Sequence, residues 1–476
     1  VLGVVNFPSF HGAMDAAQHI VALGGDGSLS AVELVDRTMI ELALQNPAFA
    51  PTVRTALAPG LGSRLPDALL LVEFAGQDKA PLLPKLRELV DCMDALGLPG
   101  SVVAMPDDAP QKALWDVRKA GLNIMMSLKG DGKPVSFIED CAVPLQHLAE
   151  YTDALTEVFT RHGTKGTWYA HASVGTLHVR PILDMRRDGA IKMRAIAEEA
   201  SALVRRFKGA YSGEHGDGLC RGEWVQWQFG PRIHEAFTAI KRQLDPGALL
   251  CPGRIVDAPP MDDRDLMRYG NGYRVIPLTP ALDWSAWNVQ NDPATEALTP
   301  PGTGADPAQG FAKAVEMCNN NGHCRKFDAG TMCPSYRVTR DEQHLTRGRA
   351  NTLRLALSGQ LGEDGVRNPS VLEALDLCVS CKGCKRDCPT GVDMARMKIE
   401  VLAQQRRARG GADSLKDKLL ARLPNYAPLA ARLAPLANLR NRWPWLARLM
   451  ERRLGIAAAR SLPEWKARHF FNAPPA

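Results

Sequence analysis

The feature that most constrains this chain is the run Cys378-x2-Cys381-x2-Cys384-x3-Cys388-Pro389. Three thiolates at this spacing wrap one cubane cluster, and a fourth cysteine followed by proline crosses to the other cluster of a pair. Tetrahedral zinc is the competing use of such a run. It calls for two cysteine pairs separated by a longer loop, and it has no use for four cysteines this close together with a trailing proline. A 4Fe-4S cluster is therefore expected, and with it the movement of electrons.

An upstream stretch supplies the other half of the template less regularly, as Cys318-x5-Cys324 and then Cys333-Pro334. On the same spacing Cys318 and Cys324 take the first and third positions, Asn321 falls on the second, and Cys333 becomes the crossing ligand that joins Cys378, Cys381 and Cys384. A second site then has Cys318, Cys324 and Cys388. Three thiolates suit a 3Fe-4S cluster, or a 4Fe-4S cluster whose last iron takes water, Asn321 or His323. The alternative is an empty, degenerate site, since a cluster short of one thiolate is more labile.

Seven of the eleven cysteines fall between Cys318 and Cys388. Such clustering favours metal ligation over a disulfide framework and points to a reducing cytoplasm. Cys92, Cys141, Cys220 and Cys251 read as small buried residues. With 58 Lys+Arg against 52 Asp+Glu, the net charge of +6 is spread thinly over 476 residues, so nucleic acid is not an expected partner. No apolar run is long enough to cross a bilayer, and no signal-peptide pattern is present. The chain starts at Val1 within a strand-like run, which reads as a fragment of something longer.

Residues 1–256 alternate apolar β-rich runs (1–7, 68–75, 101–105, 135–143) with helix-period stretches (near 10–23, 80–97, 107–128, 144–162). This predicts an α+β layer architecture, a mixed sheet with flanking helices. Residues 257–306, rich in Pro and Asp, read as a linker. A mainly α-helical ferredoxin-like iron–sulfur domain follows at 307–410, and a basic helical region at 411–476. Trp443, Trp445, Arg440, Arg442, Arg448, Arg452 and Arg453 lie in that last region. It reads first as helices packing on the cluster domain, with peripheral contact to the inner face of an anionic membrane, near a quinone pool, as the second reading.

Two further motifs carry chemistry. The stretch Trp168 to Pro181 reads as a hairpin in which His171 and His178 face each other closely enough to share a metal ion, with Arg180 on the same face as His178. A cation beside a metal suits a carboxylate substrate. Ser212-Gly-Glu214-His215-Gly216-Asp217-Gly218 sets carboxylates and an imidazole on a glycine-rich loop whose backbone can approach a ligand closely. Glu214 can complete a metal set with the two histidines, leaving His215 as a base. Surface histidines and an ordinary turn are the competing reading of both motifs.

Residues 1–256 resemble the C-terminal substrate domain of FAD-linked D-2-hydroxyacid dehydrogenases, the group that holds D-lactate, glycolate and D-2-hydroxyglutarate dehydrogenases. The residues that carry the resemblance are Ala113-Leu-Trp115-Asp-Val-Arg118, the His171–His178 segment, Gly213-Glu-His-Gly216 and Leu244-Asp-Pro-Gly247 through Pro252-Gly253. With Gly330-Thr-Met-Cys333-Pro and Thr346-Arg-Gly-Arg349-Ala-Asn, the likeness extends over most of 1–405. It implies that His171, His178 and Glu214 bind a divalent metal such as zinc or manganese, that His215 takes the hydroxyl proton, and that Arg118 clamps a carboxylate. Arg180 joins the catalytic set, and Glu214 and Gly216 are cofactor contacts. FAD would be held mainly by an N-terminal domain outside this sequence. The expected activity is oxidation of a D-2-hydroxyacid, with electrons passing from FAD through clusters to a quinone, cytochrome or electron-transfer flavoprotein. A non-catalytic electron-transfer module docking a separate flavoprotein is the alternative. Two departures from the family stand out: Arg180 occupies a position where members commonly have Asn, and Phe137-Ile-Glu-Asp140 stands where members place a lysine.

Overall fold

Eight strands build one sheet in the computed structural model, which describes residues 1–46, 49–59, 64–327 and 330–467. They are β1 (Leu2–Phe7), β2 (Leu29–Asp36), β3 (Ala68–Phe74), β4 (Val102–Met105), β5 (Gly132–Pro134), β6 (Cys141–Ala142), β7 (Gly166–His171) and β8 (Thr176–Asp184). Their order is β4-β1-β3-β2-β7-β8-β5, with β6 also on β8. Every pairing is antiparallel.

The period-two side-chain alternation of a strand explains the layers. Val5, Phe7, Val32, Leu34, Leu70, Val72 and Phe74 face one apolar cluster, shared with the helices Phe10–Ala22, Leu148–Arg161 and Gly189–Arg206. The intervening Leu2, Val4, Val35, Leu69 and Leu71 face a second cluster beneath the helices Arg37–Gln45, Ala50–Ala56 and Asp108–Lys119. Because both faces are covered, β1 and β3 are apolar but for Gly3, Asn6 and Glu73, which is why they are visible in the sequence. The expected strand over 135–143 is mostly a loop. Only Cys141–Ala142 pairs, and Asp140 before it takes a left-handed φ of 85° with a fully buried side chain.

Residues Val1–Lys398 form one compact unit and Ile399–Ala476 a second. Within the first, the Pro- and Asp-rich stretch 257–306 has little regular structure yet carries buried side chains: Trp284 packs on Phe311 with ring centroids 5.1 Å apart, and Asn291 bonds both polar groups of Gly132. The cysteine-rich segment is helical around its motifs, as expected, in helices such as Pro334–Thr339, Thr346–Leu357 and Gly383–Asp387. The second unit is helical and held by polar ties, with Arg440 donating to the carbonyls of Ala457 and Arg460, and Asn438 paired with the Trp465 backbone. Its last residues, 468–476, lie outside the described residues. Among the described residues no helix is long and apolar enough to cross a membrane.

Candidate functional site

Strands β2, β7 and β8 lie side by side, and their alternation divides one set of side chains from another. Trp168, Ala170, Leu177 and Val179 enter the first apolar cluster. Glu33, Tyr169, His171, His178 and Arg180, at the intervening positions, therefore emerge on the opposite face, where the helix Asp108–Lys119 brings Arg118. The register pairs Glu33 with His171 and Tyr169 with His178. The two histidines are thus diagonal rather than directly opposite, with ring centroids 4.9 Å apart at right angles. The diagonal arises because the turn is a 3-10 segment closed by Gly175 at φ 69°, a position where a Cβ would collide with the Val143 carbonyl.

The loop Ser212–Gly218 reaches this face because Asp140 holds it. One carboxylate oxygen accepts the Glu214 N–H at 2.8 Å, and the other accepts the His215 N–H at 2.9 Å and the Ser212 hydroxyl at 3.0 Å. Arg221 Nη2 lies 3.5 Å from the same carboxylate, balancing its charge. So placed, Glu214 Oε1 stands 3.1 Å from His178 Nε2, 3.5 Å from His171 Nε2 and 3.2 Å from His215 Nε2. His215 stacks on His178 at 5.0 Å and 18°. Positions expected from sequence alone thus converge: His171, His178 and Glu214 present three ligand atoms within 4.8 Å of one another. That spread is compatible with one divalent cation among them.

The electrostatics suit that use. Burial pushes His178 down to about 3, reinforced by the charges of His171, His215, Arg118 and Arg180, so its imidazole is neutral and can donate a lone pair. His171 is shifted upward by the hydrogen bond from its Nδ1 to Glu33 Oε1, at 2.5 Å. That bond fixes the ring so that Nε2 faces Glu214, the arrangement metal-binding histidines usually have. Both arginines already have carboxylate partners. Arg118 pairs with Glu33 at 2.6 Å, and Arg180 pairs with Glu139 and donates to Ser136 Oγ at 2.7 Å. Their guanidinium groups lie 4.7 and 4.8 Å from the Tyr169 ring centroid. Arg180 Nη1 is buried without a hydrogen-bond partner. A Cβ at Gly216 or Gly218 would meet nothing within 4 Å, so this side of the loop is open to an incoming group.

Glu33 and Tyr169 were not singled out by motif, and Glu139 and Asp140 stood out only as a departure from the family pattern. A lone acid inside the apolar run Ala31-Val-Glu33-Leu-Val35 was the available signal, because a charge is seldom buried without a partner.

The cysteines fall into two groups. Cys333, Cys378, Cys381 and Cys384 line one pocket with Thr346, Arg349, Met394 and Ala395. Cys333 Sγ accepts the Thr346 N–H at 3.0 Å. Among the described residues no three cysteine sulfurs come within 4.8 Å of one another, whereas thiolates around a tetrahedral zinc stand about 3.8 Å apart. Cys318, Cys324 and Cys388 are not among the residues lining that pocket.

The family description "FAD linked oxidases, C-terminal domain" matches residues 1–255, and "4Fe-4S dicluster domain" matches 314–392. The chain is 29% identical, over 95% of its length and 45% of the relative, to a D-2-hydroxyglutarate dehydrogenase of Escherichia coli (strain K12). It is 28% identical, over 93% of its length and 45% of the relative, to one of Pantoea ananatis. Over 54% of its length it is 24% identical to 42% of a mitochondrial D-lactate dehydrogenase [cytochrome] of Arabidopsis thaliana. The chain spans about half the length of these curated relatives.

Proposed function

Because the chain belongs to the FAD linked oxidases, whose C-terminal domain its residues 1–255 form, we propose that the full protein is a flavin- and iron–sulfur-dependent dehydrogenase. It oxidises a D-2-hydroxyacid, D-2-hydroxyglutarate or D-lactate, to the 2-oxoacid and passes the electrons through clusters to a quinone, cytochrome or flavoprotein acceptor. The observation that carries this reading is the convergence of His171, His178 and Glu214 on one point, in the same compact unit as the four-cysteine cavity. A protein that only docked a separate flavoprotein would have no use for that convergence.

His171, His178 and Glu214 would hold the divalent ion, zinc or manganese, whose charge orients the substrate's hydroxyl and carboxylate and lowers the hydroxyl's pKa. His215, 3.2 Å from Glu214, takes the hydroxyl proton at Nε2. Arg118 and Arg180 meet a substrate carboxylate from the Tyr169 side, each kept in place by its glutamate. FAD, when bound, supplies the hydride acceptor. Gly216 lies on the open side of the loop, where a flavin ring can approach, with Glu214 beside it in the chain. Cys333, Cys378, Cys381 and Cys384 hold a 4Fe-4S cluster, the exit for single electrons.

The test uses the purified full-length protein. Addition of D-2-hydroxyglutarate or D-lactate is expected to bleach the flavin absorbance, and His178→Ala is expected to abolish bleaching with cluster absorbance intact. Bleaching that survives His178→Ala would refute the assigned site.

A further inference from the structure

Two loops of the cysteine-rich segment have the same backbone. In Cys378–Cys384, Ser380 and Lys382 take left-handed φ values of 54° and 59°, and Lys382 (ψ 10°) caps the helical turn that carries Cys384. At the same offsets in Cys318–Cys324, Asn320 and Gly322 take φ values of 63° and 75°, and Gly322 (ψ 8°) caps the turn that carries Cys324. The anchoring repeats as well: Lys398 Nζ donates to the Cys378 carbonyl at 2.7 Å, and Arg268 Nη1 to the Cys318 carbonyl at 3.1 Å. Alternating right- and left-handed residues turn successive N–H groups into one concavity and make a nest for an anion such as a thiolate-bound cluster. A left-handed residue other than glycine costs about 1 kcal/mol or more, so its recurrence at Ser380, Lys382 and Asn320 marks a shared constraint.

The loops differ at the middle ligand. Cys381 lines the four-cysteine cavity; Asn321 stands at the matching offset, and its side chain is committed inside its own loop. Its Oδ1 accepts the His323 N–H at 2.8 Å and its Nδ2 donates to Asn319 Oδ1 at 2.5 Å. Cys318 and Cys324 are buried. Cys388 ends the helical turn Gly383–Asp387, and its spacing gives it the crossing place.

We infer that Cys318, Cys324 and Cys388 hold a second cluster, and that Asn321 leaves its fourth corner without iron, so that a three-iron cluster sits beside the four-iron cluster of Cys333, Cys378, Cys381 and Cys384. This rests on the cluster part of the proposed function and not on its substrate. An oxidised three-iron core is all ferric, whereas an oxidised four-iron core is already half ferrous, so the three-iron centre is the easier of the two to reduce and the lower resting place for an electron.

The full-length protein, purified without oxygen, is expected to contain about seven iron atoms per chain. Oxidised, it gives a paramagnetic resonance signal from the three-iron centre, a state in which a four-iron cluster is silent. Asn321→Cys abolishes that signal and adds a second four-iron signal on reduction with dithionite. Cys318→Ser abolishes the oxidised-state signal and spares the reduced-state signal of the other cluster. An oxidised protein with no such signal overturns the inference, whether its iron content is about four or about eight per chain, as does an Asn321→Cys spectrum unchanged from the parent. Loss of the reduced-state signal from the unmodified protein would instead overturn the cluster reading itself.

Discussion

Glu33 is the residue on which the site's geometry turns, since one carboxylate oxygen fixes His171 and the other holds Arg118. Glu33→Gln keeps the shape but offers one acceptor in place of two. It is expected to weaken divalent-metal binding by about 10- to 100-fold, measured by titration calorimetry on the full-length protein; an unchanged affinity would mean that His171 is positioned by other contacts. His171, His178 and Glu214 were legible in the sequence because two histidines in a hairpin and an acid on a glycine-rich loop form a recognisable donor set. Glu33 was not, because its partners lie 85 and 138 positions away and only strand register brings them together. Arg180 and Glu139 teach the same lesson. In sequence they are two separate departures from the family, and in the structure they are one buried ion pair on the Tyr169 side of the site.

At the scale of elements, the strands buried on both faces could be read from their apolar runs, and β2 could not, because Ser30 and Glu33 interrupt it. Residues 135–143 carry a strand-like composition but spend it on a loop whose purpose is to deliver Asp140 beneath Ser212, Glu214 and His215. The β7–β8 turn is another such device. Gly175 sits at φ 69° against the Val143 carbonyl, so Gly175→Ala combines left-handed strain with a collision. It is expected to destabilise the protein by about 2 kcal/mol or more and to separate His171 from His178. Chemical denaturation checks the first part; a stability within error of the parent would show that the turn can relax.

Across the whole molecule, the sheet domain and the cysteine-rich segment meet in a cluster of buried charge. Arg186 bridges Asp131 and Glu316, Lys313 pairs with Asp131 at 3.2 Å, and Lys133 donates to the Leu128 carbonyl. The stretch 257–306 contributes Arg268 and Tyr269 there, residues whose role composition does not reveal. Burial pushes Lys133 down to about 7, with Arg186, Arg268 and Lys313 acting in the same sense and Asp131 opposing. Its folded pKa thus lies below the unfolded value near 10.4, so between about pH 7 and 10 the unfolded chain binds the extra proton and stability rises with pH. Lys133→Met removes that slope of up to about 1.4 kcal/mol per pH unit, so the parent is expected to gain on the variant between pH 7.5 and 9.5 in paired urea titrations. A constant difference would place Lys133's titration outside that range. In the proposed function, electrons from a hydroxyacid leave through the cysteine-bound clusters. The most direct measurement is paramagnetic resonance of the full-length protein after anaerobic addition of D-2-hydroxyglutarate or D-lactate and rapid freezing. A reduced-cluster signal is expected that one of these substrates elicits and that His178→Ala abolishes. Clusters that dithionite reduces but that both hydroxyacids leave untouched would contradict it.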